Sequence, residues 1–287
     1  MSLWGILAIN SVAFGGLLFL LSAGFSLIFG LMRIPNLTHG SMFMLGGYVG
    51  ASLYMTWHLP FWLAALGSAA VVAAFGGVIE RLLLRRLSGS ILAQVLVTLG
   101  ISFIVADFCL LTWTGDPISV TTPPALAGGV RAFGLFFTIY RIAIILVACA
   151  VAALLWVLLD KTRLGAMIRA GVDDPEMARV VGIRVSRLFT IVFCLGAALA
   201  GFGGIMGAPV LTVYPGLDTD MLPLALVIVI LGGAGSLLGS LVGSFLIGFV
   251  YNFGQAMFPE LAYFVLFLPM VLVLALRPQG LFGRHAS

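Results

Sequence analysis

Charged side chains are scarce in this chain: Lys, Arg, Asp and Glu together make up 8% of its 287 residues. A soluble domain carries roughly 25% charged residues. Because 62% of the residues are hydrophobic, this composition cannot supply a surface covered by water, and lipid must surround most of the protein. A soluble globular protein is therefore excluded, and so is a nucleic-acid-binding domain, which needs a basic patch on a soluble surface.

Patterns for catalysis and metal binding are also missing. The sequence contains no Walker A motif, no HExxH motif and no CxxC pair. The three cysteines, Cys109, Cys149 and Cys194, are far apart in apolar stretches, as expected of small buried side chains. We therefore expect no enzymatic activity, no cofactor and no metal in this chain.

Long apolar segments make up most of the chain. A helix needs about 20 apolar residues to cross a bilayer. The segments lie at 5–31, 41–57, 61–79, 91–113, 142–159, 188–208, 221–231, 237–257 and 261–276. They predict an all-α, polytopic transmembrane bundle of about eight spans, some short or broken, forming a single transmembrane domain over residues 1–287. The segment 221–231 is too short to span alone at 1.5 Å per residue.

The positive charges are clustered, and Lys and Arg favour the cytoplasmic side of a membrane. They occur at Arg81, Arg85 and Arg86, in the stretch 160–187, and in the tail with Arg277 and Arg284. These clusters and the C-terminus are predicted to face the cytoplasm. The connections 114–140 and 210–220 are predicted to lie on the opposite side.

The stretch 160–187 holds 10 of the 24 charged residues (14 Lys and Arg plus 10 Asp and Glu). Asp174 can cap a helix, Pro175 suits the first helical position, and Gly182 suits the residue after the helix. A short helix is therefore predicted at about 175–181, displaying Met177, Val180 and Val181. This apolar side could bind a groove on another protein, or it could lie on the bilayer or on its own bundle.

Two interruptions fall between apolar segments, at 33–40 and at 231–240. The first contains Asn36, Thr38, His39 and Gly40, and Thr38 or Ser41 can cap the helix that follows. The second contains Gly232, Gly233 and Gly235, which can end one half-helix, and Ser236, which can start another. Paired interruptions indicate a transport pathway, and a half-helix N-terminus could attract a substrate carboxylate. An interfacial turn and a tight glycine-mediated helix crossing remain the alternatives.

Ion-coupled transporters place carboxylates inside their spans. Asp107 is the one candidate well inside a segment, and Glu80 adjoins the basic cluster, where a boundary ion pair is expected. The sequence therefore favours a transporter whose energy comes from another subunit. A stand-alone secondary transporter and a passive membrane scaffold or channel remain alternatives.

Five segments resemble the permeases of branched-chain amino acid ABC importers. They are NLTHGSMFMLGGY (36–48), IERLLLRRL (79–87), RAGVDDPEMARVVGI (169–183), ILGGAGSLLGSLVGS (230–244) and RPQGLFG (277–283). The chain departs from the family's NLAHG segment at Thr38. The five segments occur in the family's order, and the resemblance runs over nearly the whole length of the chain.

The resemblance implies a bacterial inner-membrane assembly. It would contain a second homologous permease chain (or another copy of this one), two cytoplasmic ATPase subunits that hold ATP and Mg, and an extracytoplasmic substrate-binding protein. ATPase coupling would involve Ala170, Asp173, Asp174, Pro175, Ala178, Gly182 and Ile183. The pathway would involve Asn36, His39, Gly40 and the 232–236 break. Substrates would be branched-chain amino acids or related small carboxylates and amides, moved by alternating access.

Overall fold

A computed structural model describes residues 2–32, 36–87, 89–132, 135–277 and 279–282. Within this part of the chain there are eleven α-helices and one two-stranded sheet. The elements in chain order are α1 (Ser2–Met32), α2 (Thr38–Ala51), α3 (Phe61–Leu82), α4 (Ile91–Trp113), β1 (Gly129–Ala132), β2 (Leu135–Thr138), α5 (Ile139–Lys161), α6 (Arg163–Asp173), α7 (Pro175–Val180), α8 (Val185–Leu211), α9 (Leu217–Gly232), α10 (Leu237–Met257) and α11 (Ala262–Leu276).

Among the described residues, six helices are long and apolar enough to cross a membrane: α1, α3, α4, α5, α8 and α10. They differ in burial, because 83% of the apolar window of α1 and 61% of that of α8 are buried, against 22% for α5. Helices α1 and α8 therefore form the centre, and α5 presents its apolar side chains outward, as expected of a helix in contact with lipid. The predicted all-α polytopic bundle is confirmed, with α2, α9 and α11 as shorter helices within it.

Helix α2 packs against α8 through glycines. A Cβ atom added at Gly204 would lie 2.0 Å from the carbonyl oxygen of Phe43 and 2.6 Å from the nitrogen of Gly47. One added at Gly46 would lie 2.4 Å from the Cα of Gly201. Small residues at this spacing let helix backbones touch in lipid, where packing rather than the hydrophobic effect holds helices together. We call this contact the α2–α8 glycine interface.

Helix α2 begins inside the bundle. The hydroxyl of Thr38 donates to the carbonyl oxygen of Thr98 at 2.9 Å, and Thr98 lies seven residues, about 10 Å, along α4 from Ile91. The prediction that Thr38 or Ser41 caps α2 is wrong, because both side chains bond to other helices. The side-chain oxygen of Asn36 accepts from the Thr38 amide at 3.2 Å instead. Residues 33–35 of the predicted interruption lie outside the described residues.

Helix α9 also begins inside the bundle, which corrects the expected position of residues 210–220. After α8 the chain turns at Thr212, which has φ of +62°, and Val213 then packs on Gly47. Asp218 contacts Gly40 and Ser41, and Ser41 lies ten residues, about 15 Å, from the end of α2 at Ala51. The chain therefore re-enters the bundle, so α9 can be short because it does not have to span the membrane alone.

The basic clusters lie together at one end of the bundle, which we call the charged end. Ile168 of α6 packs there against Leu188 and Val192 of α8, with Leu27 of α1 beside them. The opposite end carries the β1–β2 hairpin and an antiparallel bridge between Ile118 and Val213. The connections 114–140 and 210–220 are thus joined away from the charged end, although the second also extends inward.

The 231–240 interruption is the turn of an antiparallel helical hairpin and does not divide one span into two halves. Gly232 of α9 touches Gly239 of α10, and the backbone of Ile228 lies next to Gly243. Gly235 lies against Gly30 near the end of α1, which places the turn at the charged end. Gly232 ends α9 and Ser236 caps α10 as predicted, and the contact of Gly232 with Gly239 is the tight glycine-mediated crossing that the sequence left as the alternative.

Replacing Gly204 by Ala is expected to destabilise the protein by about 1–3 kcal/mol, the usual cost of overpacking. The new methyl group would meet backbone atoms of α2, which cannot rotate away. Thermal unfolding in detergent measures the effect as a lowered Tm. Gly100→Ala is the matched control, because nothing lies within 4 Å of a Cβ at Gly100, and an unchanged Tm for Gly204→Ala would contradict the tight interface.

Candidate transport site and the α6–α7 corner

The first turns of α2 and α9 meet at a buried carboxylate. The hydroxyl of Ser41 donates to Oδ2 of Asp218 at 3.0 Å, and Asp218 is 7% exposed. Its other oxygen, Oδ1, has no hydrogen-bond partner within the described part of the chain. A carboxylate in the first turn of a helix is stabilised by the helix dipole, and here it lies at two such turns.

The predicted pathway residues of the first interruption are all buried at this depth. Nε2 of His39 donates to the carbonyl oxygen of Leu21 at 2.9 Å, and the imidazole packs on Phe25 with ring centroids 5.2 Å apart. Within the described residues, Nδ1 of His39 and the side-chain nitrogen of Asn36 have no partner. Polar groups buried without partners are uncommon in proteins, so this region is a candidate part of the pathway.

The predicted pathway residues of the second interruption lie elsewhere. Gly232 and Gly233 are buried, whereas Gly235 is exposed at the charged end. The side chain of Ser236 accepts from the amide of Gly239 at 3.0 Å and so serves α10. The structure therefore does not bring these four residues together with Asn36, Thr38, His39 and Gly40, and their part in a pathway stays a prediction.

Asp218 is the buried carboxylate that sequence reasoning missed. Asp107, the candidate named from the sequence, is exposed on α4. Asp218 resembles a loop residue in the sequence, because it follows Tyr-Pro-Gly in a connection expected outside the membrane. A signal was present, since Gly216 followed by two acidic residues within four positions is typical of a helix start.

A cavity of about 370 Å³ opens beside the start of α9, between the end of α8 and helices α10 and α11. Its wall is polar and apolar in about equal parts, and the polar members include Tyr214, Thr219, Asp220 and Tyr251. The phenol of Tyr214 donates to a carboxylate oxygen of Asp220. The apolar members include Leu211, Leu217, Met221, Leu224, Leu266 and Phe267. Ligand sites are typically apolar cavities of roughly 300–1,000 Å³ with a few polar groups.

The predicted short helix in the charged stretch is present as α7. The carboxylate of Asp174 accepts from the amides of Glu176 and Met177 at 3.0 and 2.9 Å, so the predicted cap is confirmed. Pro175 is the first residue of α7, and Gly182 has φ of +87°, which suits a glycine just after a helix. The Asp174 cap, Pro175 and Gly182 are therefore the local sequence features that form the turn between α6 and α7, which we call the α6–α7 corner.

The other predicted coupling residues surround this corner. The carbonyl oxygen of Ala170 accepts from the amide of Asp174 at 3.1 Å, which joins α6 to α7. The amide of Ile183 donates to the carbonyl oxygen of Ala178 at 2.9 Å, and Ala178 is 3% exposed. Asp173 is exposed at the end of α6. The structure therefore groups all seven residues at one turn between α6 and α8.

Three apolar side chains on and just after α7 point outward and are not covered by the described part of the chain. Met177 is 58% exposed, Val180 80% and Val181 68%. By contrast, α6 is held against the bundle by Ile168 and Leu188. Of the three arrangements left open by the sequence, packing of these three side chains on the described part of the chain's own bundle is excluded, which leaves a partner groove or the bilayer surface.

A buried ion pair joins the end of α3 to the start of α8. Glu80 is 1% exposed, and the guanidinium of Arg85 contacts both of its carboxylate oxygens at 3.1–3.2 Å. Arg85 also donates to the carbonyl oxygen of Ser186 at 2.9 Å, and the Thr190 hydroxyl donates to Glu80 at 2.7 Å. The boundary ion pair expected for Glu80 is confirmed, and it fixes the first turns of α8, the helix that follows α7.

The fold and the site are those of a polytopic helical membrane protein. Polar groups are buried where two helices begin inside the bundle, and a short helix projects from the charged end. The family described as "Branched-chain amino acid transport system / permease component" matches residues 7–274. The chain belongs to this family, and its relatives are transport permeases.

Two relatives illustrate the similarity. The chain is 27% identical to the high-affinity branched-chain amino acid transport system permease protein BraD of Pseudomonas aeruginosa, over 96% of this chain and 94% of BraD. It is also 27% identical to the corresponding permease protein LivH of Escherichia coli K12, with the same coverage. Among solved structures, PsaBC from Streptococcus pneumoniae in complex with Fab gives a TM-score of 0.45 at 15% identity, covering 91% of this chain and 87% of that chain.

Replacing Ser41 by Ala is expected to destabilise the protein by about 1–3 kcal/mol, because the buried Asp218 carboxylate would lose its hydroxyl donor. Chemical or thermal unfolding in detergent measures the change. Ser11→Ala is the matched control, since the Ser11 hydroxyl donates to the Leu7 carbonyl of its own helix. Equal stability of the two variants would show that the Ser41–Asp218 bond contributes nothing.

Proposed function

We propose that this chain is the transmembrane permease subunit of an ATP-driven importer, and that it forms the translocation pathway for branched-chain amino acids or related small carboxylates and amides. The whole chain serves as one permease domain. The observation that carries the proposal is the capped helix α7, which displays Met177, Val180 and Val181 outward at the charged end. An apolar helical face of this kind is suited to a groove on a partner protein.

The charged end is proposed to face the cytoplasm, because Lys and Arg favour that side. The C-terminal segment lies at the same end, since the amide of Leu281 donates to the carbonyl oxygen of Leu231 at 2.8 Å and Gly280 lies against Gly233. The C-terminus is accordingly proposed to be cytoplasmic, in a bacterial inner membrane. Arg284 lies outside the described residues.

The proposed partners are supported by the relatives, which are permease proteins of larger transport systems. Two cytoplasmic ATPase subunits would bind ATP and Mg and contact α7, while this chain holds no cofactor. A second permease chain, related or identical, would complete the pathway, and an extracytoplasmic binding protein would deliver substrate. Movement of α7 would pass to α8 through Gly182 and Ile183, and to α3 through Arg85.

An ion-coupled transporter working alone is the second candidate, and Asp218 is the observation that favours it. Buried carboxylates inside a bundle are typical of ion and proton pathways. The projecting α7 favours the importer, because a transporter working alone needs no docking helix. The two candidates differ in their energy source, so the energy source can be measured directly.

Substrate uptake is expected to require ATP and the partner subunits. The experiment compares leucine uptake into proteoliposomes that contain the assembled complex with ATP inside, the same complex without ATP, and the purified chain under a proton or sodium gradient. ATP-dependent uptake by the complex supports the importer. Gradient-driven uptake by the chain alone would replace it with the second candidate.

Val180→Asp is expected to abolish ATPase association, because a charge would be placed on the exposed apolar side of α7. Co-purification of the ATPase subunits with the tagged chain from membranes is the measurement. Deletion of residues 175–181 should give the same result while leaving membrane insertion intact.

Val130→Asp is the matched control, because Val130 is 45% exposed on the β1 strand of the opposite end. It receives the same substitution, and ATPase association should be retained. Undiminished co-purification with Val180→Asp would contradict the proposal that α7 is the docking element. It would instead favour contact of its apolar side with the bilayer surface.

A further inference from the structure

The cavity beside α9 carries a negative charge. Among the described residues that line it, Asp220 is the charged one, and its carboxylate is exposed to the cavity side of α9. The phenol of Tyr214 donates to one oxygen of Asp220 and so orients the carboxylate. A single carboxylate among neutral lining side chains attracts a cationic group and repels an anionic one.

The start of α9 cannot serve as an attractor for a substrate carboxylate. Asp218 and Asp220 both lie in its first turn, where the positive end of the helix dipole would otherwise favour an anion. Asp218 faces α2 and bonds to Ser41, while Asp220 lines the cavity. The chain's own carboxylates thus occupy this helix end, so a substrate carboxylate is not attracted to the start of α9.

We infer that the cavity binds the ammonium group of the transported solute, with Asp220 as its acceptor and the apolar wall around the aliphatic side chain. This inference rests on the proposed transport function and adds a residue that selects the solute within the permease. The ligand class is a small aliphatic amine or α-amino acid, which narrows the proposed range of solutes to those that carry an ammonium group.

The geometry of the cavity suits this class of ligand. The volume of about 370 Å³ is at the lower end of the range for ligand sites, so it suits a solute of amino-acid size. Leu224, Leu266 and Phe267 supply apolar contact from α9 and α11. An ammonium group at Asp220 and a branched aliphatic group against these three side chains would satisfy both parts of the wall.

The experiment measures binding to the full-length chain in nanodiscs of zwitterionic lipid by ligand-observed saturation-transfer NMR. The probes are L-leucine, 3-methylbutylamine, which keeps the branched chain and the ammonium group, and 4-methylpentanoate, which keeps the branched chain and the carboxylate. Wild type should bind leucine and the amine at least about tenfold more tightly than 4-methylpentanoate, the effect of one charge-assisted hydrogen bond. Empty nanodiscs correct for partition into lipid.

Variants test the role of Asp220 itself. Asp220→Asn should weaken binding of leucine and of the amine about tenfold, Asp220→Glu should retain most of it, and Asp220→Lys should reverse the preference toward 4-methylpentanoate. Asp107→Asn is the matched control, because Asp107 is an exposed aspartate on α4 that does not line the cavity. A variant that misfolds is recognised by a lowered Tm, and the charge-reversal result then decides.

The inference is overturned if wild type binds 4-methylpentanoate as tightly as the amine, or if Asp220→Asn and Asp107→Asn bind the amine equally. These outcomes leave the proposed transport function intact, since ATP-dependent uptake is measured separately. Loss of ATP-dependent uptake with unchanged amine binding would instead contradict the importer and leave the cavity assignment standing.

Discussion

The close approach of α2 and α8 is the contact on which the rest of the structure depends. In lipid, two helices gain little from burying apolar side chains, so their packing requires small residues that let backbones touch. Gly46 and Gly204 bring α2 against α8 at distances that no Cβ atom would allow. This packing holds α2 at the centre of the bundle. Without it, the polar first turn of α2 would not be buried away from water.

A helix that begins inside a bundle leaves backbone amides without helical partners, and lipid cannot satisfy them. Local hydrogen bonds satisfy such amides at both helix starts. The side chain of Asn36 accepts from the Thr38 amide at the start of α2, and at the start of α9 the amides of Leu217 and Thr219 donate to the carbonyl oxygens of Tyr214 and Gly216. Since both helix starts lie next to Ser41 and Asp218, the two solutions share one polar region, and a permeating solute could exchange hydrogen bonds there.

Much of the fold could be predicted because the signals are local. Apolar length located the long helices, and the sequence Asp174-Pro175 with Gly182 located α7 within one residue of its end at Val180. The start of α9 could not be predicted in the same way. Asp218 is buried because Gly40 and Ser41 of a distant helix lie against it, and nothing in residues 210–220 encodes that contact. The glycines at 232–235 predicted a chain break correctly, but a hairpin turn and a broken span have the same composition, and only the contact of Gly232 with Gly239 distinguishes them.

Helix α8 connects the three regions proposed to act together. It begins directly after the α6–α7 corner, where Arg85 bonds to Ser186 and to the buried Glu80. Its middle forms the α2–α8 glycine interface, and its end at Leu211 leads through Thr212 into the cavity wall. A close-packed interface passes on a displacement because it cannot be compressed. A partner that moved α7 would therefore shift α8 and change the cavity wall that carries Asp220. Docking at the charged end and solute binding about one helix length away would then be coupled through α8.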